Sequence, residues 1–156
     1  MLKKKKRDKF NNGKDEKSKL KRTFENILFA SELEMKFYRD YLLPLKEQGI
    51  IEKIILQPVY VLQEKYTKQG KTILPIKYVG DFEVFFSDGR VITYDPKGFA
   101  SQEAILRRKI FDKIFPEKTL IWISWSSCDG GWTDYDTLKK MRAKRKKEKG
   151  NNNDAN

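Results

Sequence analysis

Residues 79–86 (VGDFEVFF) and 91–97 (VITYDPK) both largely alternate polar and apolar side chains, the period of two expected of strands with one buried face. Ser87-Asp88-Gly89 between them is hairpin-turn chemistry. The register depends on the loop. With two loop residues at 88–89, Asp81 and Asp95 fall on opposite faces. With three at 87–89, closed by Gly89 in the left-handed conformation, Phe86 faces Arg90 and Asp81 faces Asp95. That second register sorts Phe82, Val84, Phe86, Ile92 and Tyr94 onto an apolar face. Asp81, Glu83, Thr93, Asp95 and Lys97 gather on a polar one.

The remaining periodicity predicts the order helix, strand, strand, strand, helix, strand. Ser31 opens a helix running to about 46, with Pro44 a candidate kink. At about 100° per residue, Phe37, Tyr38, Tyr41, Leu42 and Leu45 form one arc with Glu34 near its centre. Residues 52–63 (EKIILQPVYVLQ) read as one strand, with Pro58 marking a bulge or an edge. A second helix over about 101–115 carries Leu106, Ile110 and Ile114 at four-residue spacing beside Phe111 and Phe115, which predicts a core face. Arg107, Arg108 and Lys113 lie away from much of that stripe, and a buried strand follows at 119–125.

Charge divides the chain. Of a net +12, residues 1–22 carry eleven Lys/Arg against three Asp/Glu, residues 139–149 carry eight against one, and Asp154 adds −1, leaving 23–138 at −2. The expected organisation is a flexible basic arm at 1–22, one globular domain at 23–138, and a basic extension at 139–156 with a disordered tail from 150. Such arms suit a polyphosphate, where neutralised backbone charges release counterions and binding becomes salt-dependent. Solubilising tails have the same composition. There is no histidine, which removes His-dependent triads and His-metal nucleases. The single Cys128 cannot form an internal disulfide or a thiolate zinc site. No apolar run approaches the roughly 18 residues of a membrane span, and no apolar stretch follows the first lysines, so a soluble cytoplasmic protein is expected.

On the polar hairpin face, two carboxylates roughly 5 Å apart repel one another and are partly protonated unless a cation lies between them. Mg²⁺ takes one or two carboxylates together with waters and phosphate oxygens. Lys97, on the same face, could hold or deprotonate an attacking water. The plain alternative is a solvated polar face, common in antiparallel sheets. Glu34 has two readings as well: a core-facing carboxylate in need of a partner, and the reciprocal half of a capping box with Ser31. Trp122, Trp125 and Trp132 could stack on unpaired bases, although Trp122 falls in the buried strand, and Gln57 could approach the site. Cys128 is assigned no chemistry.

Glu on the first helix, Asp at the second strand and Asp-x-Lys on the third, in the order αβββαβ, resemble the PD-(D/E)XK nuclease superfamily, which includes many restriction enzymes, phage exonucleases and Holliday-junction resolvases. More narrowly, Phe29-Ala30-Ser31 leading to Glu34, Leu56-Gln57-Pro58, Tyr78-Val79-Gly80-Asp81-Phe82, Asp95-Pro96-Lys97-Gly98-Phe99 and Gly131-Trp132-Thr133-Asp134-Tyr135-Asp136 are similar to a small phage and prophage family of predicted endonucleases. The resemblance spans about 24–147. It implies an α/β, restriction-endonuclease-like core with a mixed sheet flanked by helices. It also implies Asp81 and Asp95 as metal ligands, Lys97 as the water-positioning residue, Glu34 as a metal or water ligand, and Mg²⁺ or Mn²⁺ as cofactor. Gly80 stands where the superfamily expects proline, and Asp95 replaces the commoner glutamate. Pro96 keeps the carbonyl that the middle position of the motif can offer to a metal.

The function expected is a Mg²⁺-dependent DNA endonuclease of phage or prophage DNA metabolism, with branched DNA one candidate substrate and a homodimer left open. The basic arms, Lys3, Lys4, Lys5, Lys6 and Arg7 at one end and Lys144, Arg145, Lys146 and Lys147 at the other, would clamp the DNA backbone. The alternatives are a non-catalytic nucleic-acid-binding module using the same arms, and an RNase H-type acidic site, against which Lys97 and Glu34 argue.

Overall fold

The computed structural model describes residues 16–153. A short helix α1 (Glu16–Leu20) leads into a small hairpin, β1 (Thr23–Phe24) and β2 (Ile27–Leu28). Glu25 and Asn26 at its tip have φ of 49° and 64°, the pair of left-handed residues that a tight hairpin requires. Next come α2 (Glu32–Phe37), a π-helical turn at Tyr38–Leu42, and α3 (Leu43–Glu47), one helical run close to the expected 31–46. The widened turn answers Pro44. Proline offers no amide, and the Leu43 N–H donates five residues back to the Tyr38 carbonyl just before it.

Nine further strands follow: β3 (Ile51–Leu56), β4 (Val59–Gln63), β5 (Tyr66–Lys68), β6 (Lys71–Ile73), β7 (Ile76–Val79), β8 (Phe82–Phe86), β9 (Val91–Pro96) and then, after α4 (Gln102–Ile114), β10 (Thr119–Ser126) and β11 (Gly131–Asp134). The chain ends in α5 (Tyr135–Asn153). The main sheet has the order β11-β10-β9-β8-β3 and is mixed: β9 and β10 run parallel, and the other neighbours are antiparallel. Helices flank it, so the protein is α/β with a mixed, helix-flanked sheet, as the sequence order predicts.

The β8–β9 hairpin adopts the three-residue loop. Phe86 N–H bonds to the Arg90 carbonyl at 2.9 Å, Gly89 has φ of 86°, and the ladder pairs Phe82 with Tyr94 and Val84 with Ile92. Phe82, Val84, Phe86, Ile92 and Tyr94 all enter one core with Phe37, Tyr38 and Leu42 of the first helical run. A second core lies on the other side of the sheet, where Trp122 meets Tyr60, Tyr78 and Phe111. In α4 the inward face takes Ile110, Phe111 and Phe115 of the expected set together with Ile105, while two expected members turn outward. Leu106 is 58% exposed and Ile114 42%. Turning the helix about Phe111 places one large ring against Tyr60 and Tyr78, which Leu106 could not reach at the same time.

Two strands expected to be continuous are each broken. Residues 52–63 divide into β3 and β4 at Gln57-Pro58, and within 79–86 Val79 ends β7 while β8 starts at Phe82, with Gly80-Asp81 between them. The breaks face each other: Gln57 N–H donates to the Asp81 carbonyl at 2.9 Å and Gly80 N–H to the Pro58 carbonyl at 3.0 Å. A long two-stranded ribbon thus bends at one level, with β3–β8 in the main sheet and β4–β7 turned onto α4. The β5–β6 hairpin, which the sequence pattern does not predict, extends its far end and is exposed throughout. At the other end of the chain, the 138/139 boundary falls inside α5. Residues 150–153, read as disordered tail, are the last residues of that helix.

Gly80 is required at the bend. A Cβ there would sit 2.6 Å from Thr93 Cγ2 and 3.3 Å from Pro58 Cγ. Thr93 is buried and shares a 2.6 Å hydrogen bond with the Tyr60 hydroxyl, so it cannot simply swing away. Gly80→Ala is therefore expected to destabilise the protein by about 1–3 kcal/mol in chemical denaturation. Thr93→Ser, which deletes the clashing methyl and keeps the hydroxyl, should recover part of that loss in the double variant.

Candidate active site

The bend carries Asp81 to the point opposite Asp95, the last but one residue of β9. Asp95 is 2% exposed and its carboxylate is fixed from two sides. Oδ2 accepts a 2.6 Å hydrogen bond from the Tyr78 hydroxyl, which in turn accepts one of 2.8 Å from Trp122 Nε1. Lys97 Nζ lies 2.7 Å from Oδ1 as an ion pair, yet that buried oxygen accepts no hydrogen bond of good geometry. Lys97 itself is positioned by its backbone. Its N–H donates to the Ile123 carbonyl at 2.7 Å, and Ser124 Oγ donates to its carbonyl.

Asp81 projects beside Asp95: its N–H donates to the Tyr94 carbonyl at 3.2 Å, continuing the β8–β9 register that sets the two aspartates opposite each other, and Asp81 lies within electrostatic reach of Asp95. Both groups are acceptors when ionised, so their approach demands a proton or another cation between them. The cost of that approach falls on Asp81. Its pKa is pushed up to about 10, first by burial, then by the Asp95 charge and hydrogen bond and by Glu34, with Lys97 opposing. Tyr78 is also raised, by burial and then by the Asp95 charge.

Glu34 caps its helix in a form shifted by one residue, bonding the amide before Ser31 rather than that of Ser31 itself. Its carboxylate accepts from Ser31 Oγ at 2.8 Å and from the Ala30 N–H at 3.0 Å, while Ser31 Oγ accepts from the Glu34 N–H at 3.1 Å, the reciprocal cap of a helix start. It also lies within electrostatic reach of Asp95 and Lys97, and burial raises its pKa above the ordinary carboxylate value. Among the described residues no three carboxylate or thiol groups gather tightly enough to hold a metal ion by themselves. Asp81 and Asp95 are the pair that could share one, with Glu34 behind.

Glu83, on the same polar face, is engaged elsewhere: it accepts from the Tyr60 hydroxyl at 2.9 Å and pairs with Lys118 at 3.6 Å. Gln57 contributes its backbone, strained at φ of 50°, to the bend that holds Asp81. Trp122 is buried as the strand pattern predicts, whereas Trp125 is half exposed. The role of Tyr78 was not foreseen. Its signal was a period-two position with Lys77 and Val79 outward, and the bend that aims its hydroxyl at Asp95 depends on Gly80.

Of the basic residues proposed for DNA contact, Lys3, Lys4, Lys5, Lys6 and Arg7 lie outside the described residues. Lys144, Lys146 and Lys147 are exposed on α5. Arg145 is turned back onto the domain, in a two-pronged ion pair with Asp129 that Ser126 Oγ supports at 2.6 Å. These bonds, Arg145 first, hold the Asp129 carboxyl well below the usual carboxylate range.

Fold and site together define an α/β protein with a mixed, helix-flanked sheet and a pair of aspartates, Asp95 buried and Asp81 half-buried, beside a lysine. The chain belongs to the DUF1064 family, described as a protein of unknown function, whose pattern matches residues 14–128. That span takes in Glu34, Asp81, Asp95 and Lys97. No curated protein and no solved structure gives a match.

A carboxyl whose folded pKa is raised contributes stability below its unfolded pKa of about 4, and that contribution is lost as pH rises toward its folded pKa. In metal-free protein, Asp81→Asn should therefore be more stable than wild type, by about 1–3 kcal/mol at pH 8. The difference should shrink as pH falls toward 4. Urea denaturation in EDTA across that range measures it.

Proposed function

We propose that this protein hydrolyses DNA phosphodiester bonds as a divalent-metal-dependent endonuclease on a restriction-endonuclease-like core. The observation that carries the proposal is the placement of Asp81 opposite Asp95 at the bend, with Lys97 Nζ 2.7 Å from the Asp95 carboxylate. Two hard oxygen groups face each other there, and the Lys97 amine stands 2.7 Å from the Asp95 oxygen that no other group among the described residues bonds. Such donors suit Mg²⁺ or Mn²⁺, which prefer carboxylate oxygen and complete their shells with water and phosphate. The element order supports the same reading. The first helical run, β3, β8, β9, α4 and then β10 parallel to β9 reproduce αβββαβ, with β4–β7 inserted between the first two strands.

When bound, the ion supplies charge stabilisation at the phosphoryl oxygens and acidifies water. Asp81 and Asp95 hold it, and Tyr78 keeps Asp95 aimed. Lys97 orients the attacking water and, as a cation, offsets negative charge developing on the phosphate. Glu34, held by Ser31 and Ala30, adds negative potential on the helix side and can accept a hydrogen bond from water. The exposed lysines of α5, with Lys3, Lys4, Lys5, Lys6 and Arg7, supply backbone affinity with little sequence readout.

Full-length protein should cut at least one of branched, duplex or single-stranded DNA in Mg²⁺ or Mn²⁺ and none in EDTA. Asp81→Asn and Lys97→Ala should each lower cleavage by about 10²-fold or more while DNA binding stays within a few fold. Binding without cleavage of any substrate in either metal would instead make this a nucleic-acid-binding module.

A further inference from the structure

Immediately after Lys97 the chain leaves the sheet at Gly98-Phe99-Ala100 and turns into α4. That loop and α5 enclose a groove of about 330 Å³, lined by Gly98, Phe99, Ile105, Tyr135, Lys139 and Arg142 among others. Three properties set it apart. Phe99 is 79% exposed, the most exposed large apolar side chain among the described residues, and two positions from Lys97. Lys139 and Arg142 stand three apart on one face of α5, a spacing that makes them neighbours on the helix surface. Neither forms an ion pair among the described residues, whereas other arginines of these helices do: Arg107 with Glu103, Arg108 with Asp136 and Arg145 with Asp129. The groove also has a rigid floor, because the Ala100 N–H donates to the Tyr135 hydroxyl at 3.0 Å and Tyr135 packs edge-on against buried Trp122.

We infer that this groove seats unpaired nucleotides of the strand adjoining the scissile phosphate. A solvent-exposed phenyl ring beside two free cations is the combination single-strand binding uses: a stacking platform for a base, which every base can use, and positive charge for the backbone on either side. Duplex DNA keeps its bases stacked on one another and offers Phe99 none. The groove therefore selects single-stranded DNA, or the unpaired segment of a branch, over uninterrupted duplex. This rests on the reading of Asp81, Asp95 and Lys97 as the cleavage site only for its direction along the strand. The recognition itself is independent of the chemistry.

The test is fluorescence anisotropy of the full-length protein with a labelled oligothymidine and with a duplex of the same length, in EDTA so that binding is read without cutting. Phe99→Ala should weaken oligothymidine binding on the order of tenfold and leave duplex binding within about twofold, and Phe99→Trp should restore it. Lys139→Ala and Arg142→Ala should each reduce the slope of log K against log salt by about 0.7 for the single strand. Lys113→Ala, at the far end of α4, serves as the control for general charge loss. Equal binding by wild type and Phe99→Ala, or equal losses on duplex and single strand, would overturn the proposal. If Phe99-dependent binding persists although no metal supports cleavage, the groove stands and the hydrolase reading falls. If cleavage occurs and Phe99→Ala changes nothing, the groove alone falls.

Discussion

Two carboxyl groups pressed together inside a protein need something positive between them, and the arrangement of this molecule follows from that requirement. Asp95 is buried, bonded by Tyr78 and paired with Lys97, so its carboxylate is held in place from two sides. Asp81 meets it from the neighbouring strand with no comparable donor and takes up the conflict as a raised pKa. A fold that wanted only stability would have placed an apolar residue at either position, since apolar replacement of buried charge is often neutral or favourable. Groups perturbed in this way cluster at functional sites, which is why the pair carries the functional proposal.

The scaffold around the pair is correspondingly over-determined. Gln57 and Gly80 exchange backbone hydrogen bonds with the opposing strand on both sides of Asp81, and Thr93 closes over Gly80 too tightly for any side chain there. Trp122 orients Tyr78, and Arg108 in turn covers the Trp122 ring at 4.6 Å. The ribbon bend thus belongs to both cores at once: β8 and β9 pack toward the first helical run and β4 and β7 toward α4. Fixing Asp81 and Asp95 relative to each other is the result, and a cation site needs such fixed ligands more than it needs many of them.

The hairpin register was legible from Ser87-Asp88-Gly89, because only a loop closed by a left-handed glycine puts the alternating apolar residues of both strands on one side. Ser31 and Ser101 marked both helix starts, and both accept the amide three residues on. The bend was not legible. A local pattern of alternation continues straight through Gly80, and only the pairing of Pro58 against it, 22 residues away in sequence, turns the strand. The α4 face was legible in Ile110, Phe111 and Phe115 but not in Leu106 and Ile114, because its centre is set by Tyr60 and Tyr78 packing on Phe111 across the interface. Glu34 was ambiguous because its capping and site-facing roles coexist. The basic extension gave no helical pattern of apolar residues beyond Leu138, so the continuation of α5 had no signal in hydrophobicity.

The most direct measurement is a carbon-13 NMR titration of the aspartate carboxyl carbons in metal-free protein, with Asp81 assigned by its asparagine variant. The account predicts that Asp81 stays protonated past neutral pH, and that adding Mg²⁺ ionises it with release of a proton. An Asp81 carboxyl fully ionised by about pH 5 and unmoved by Mg²⁺ would contradict it.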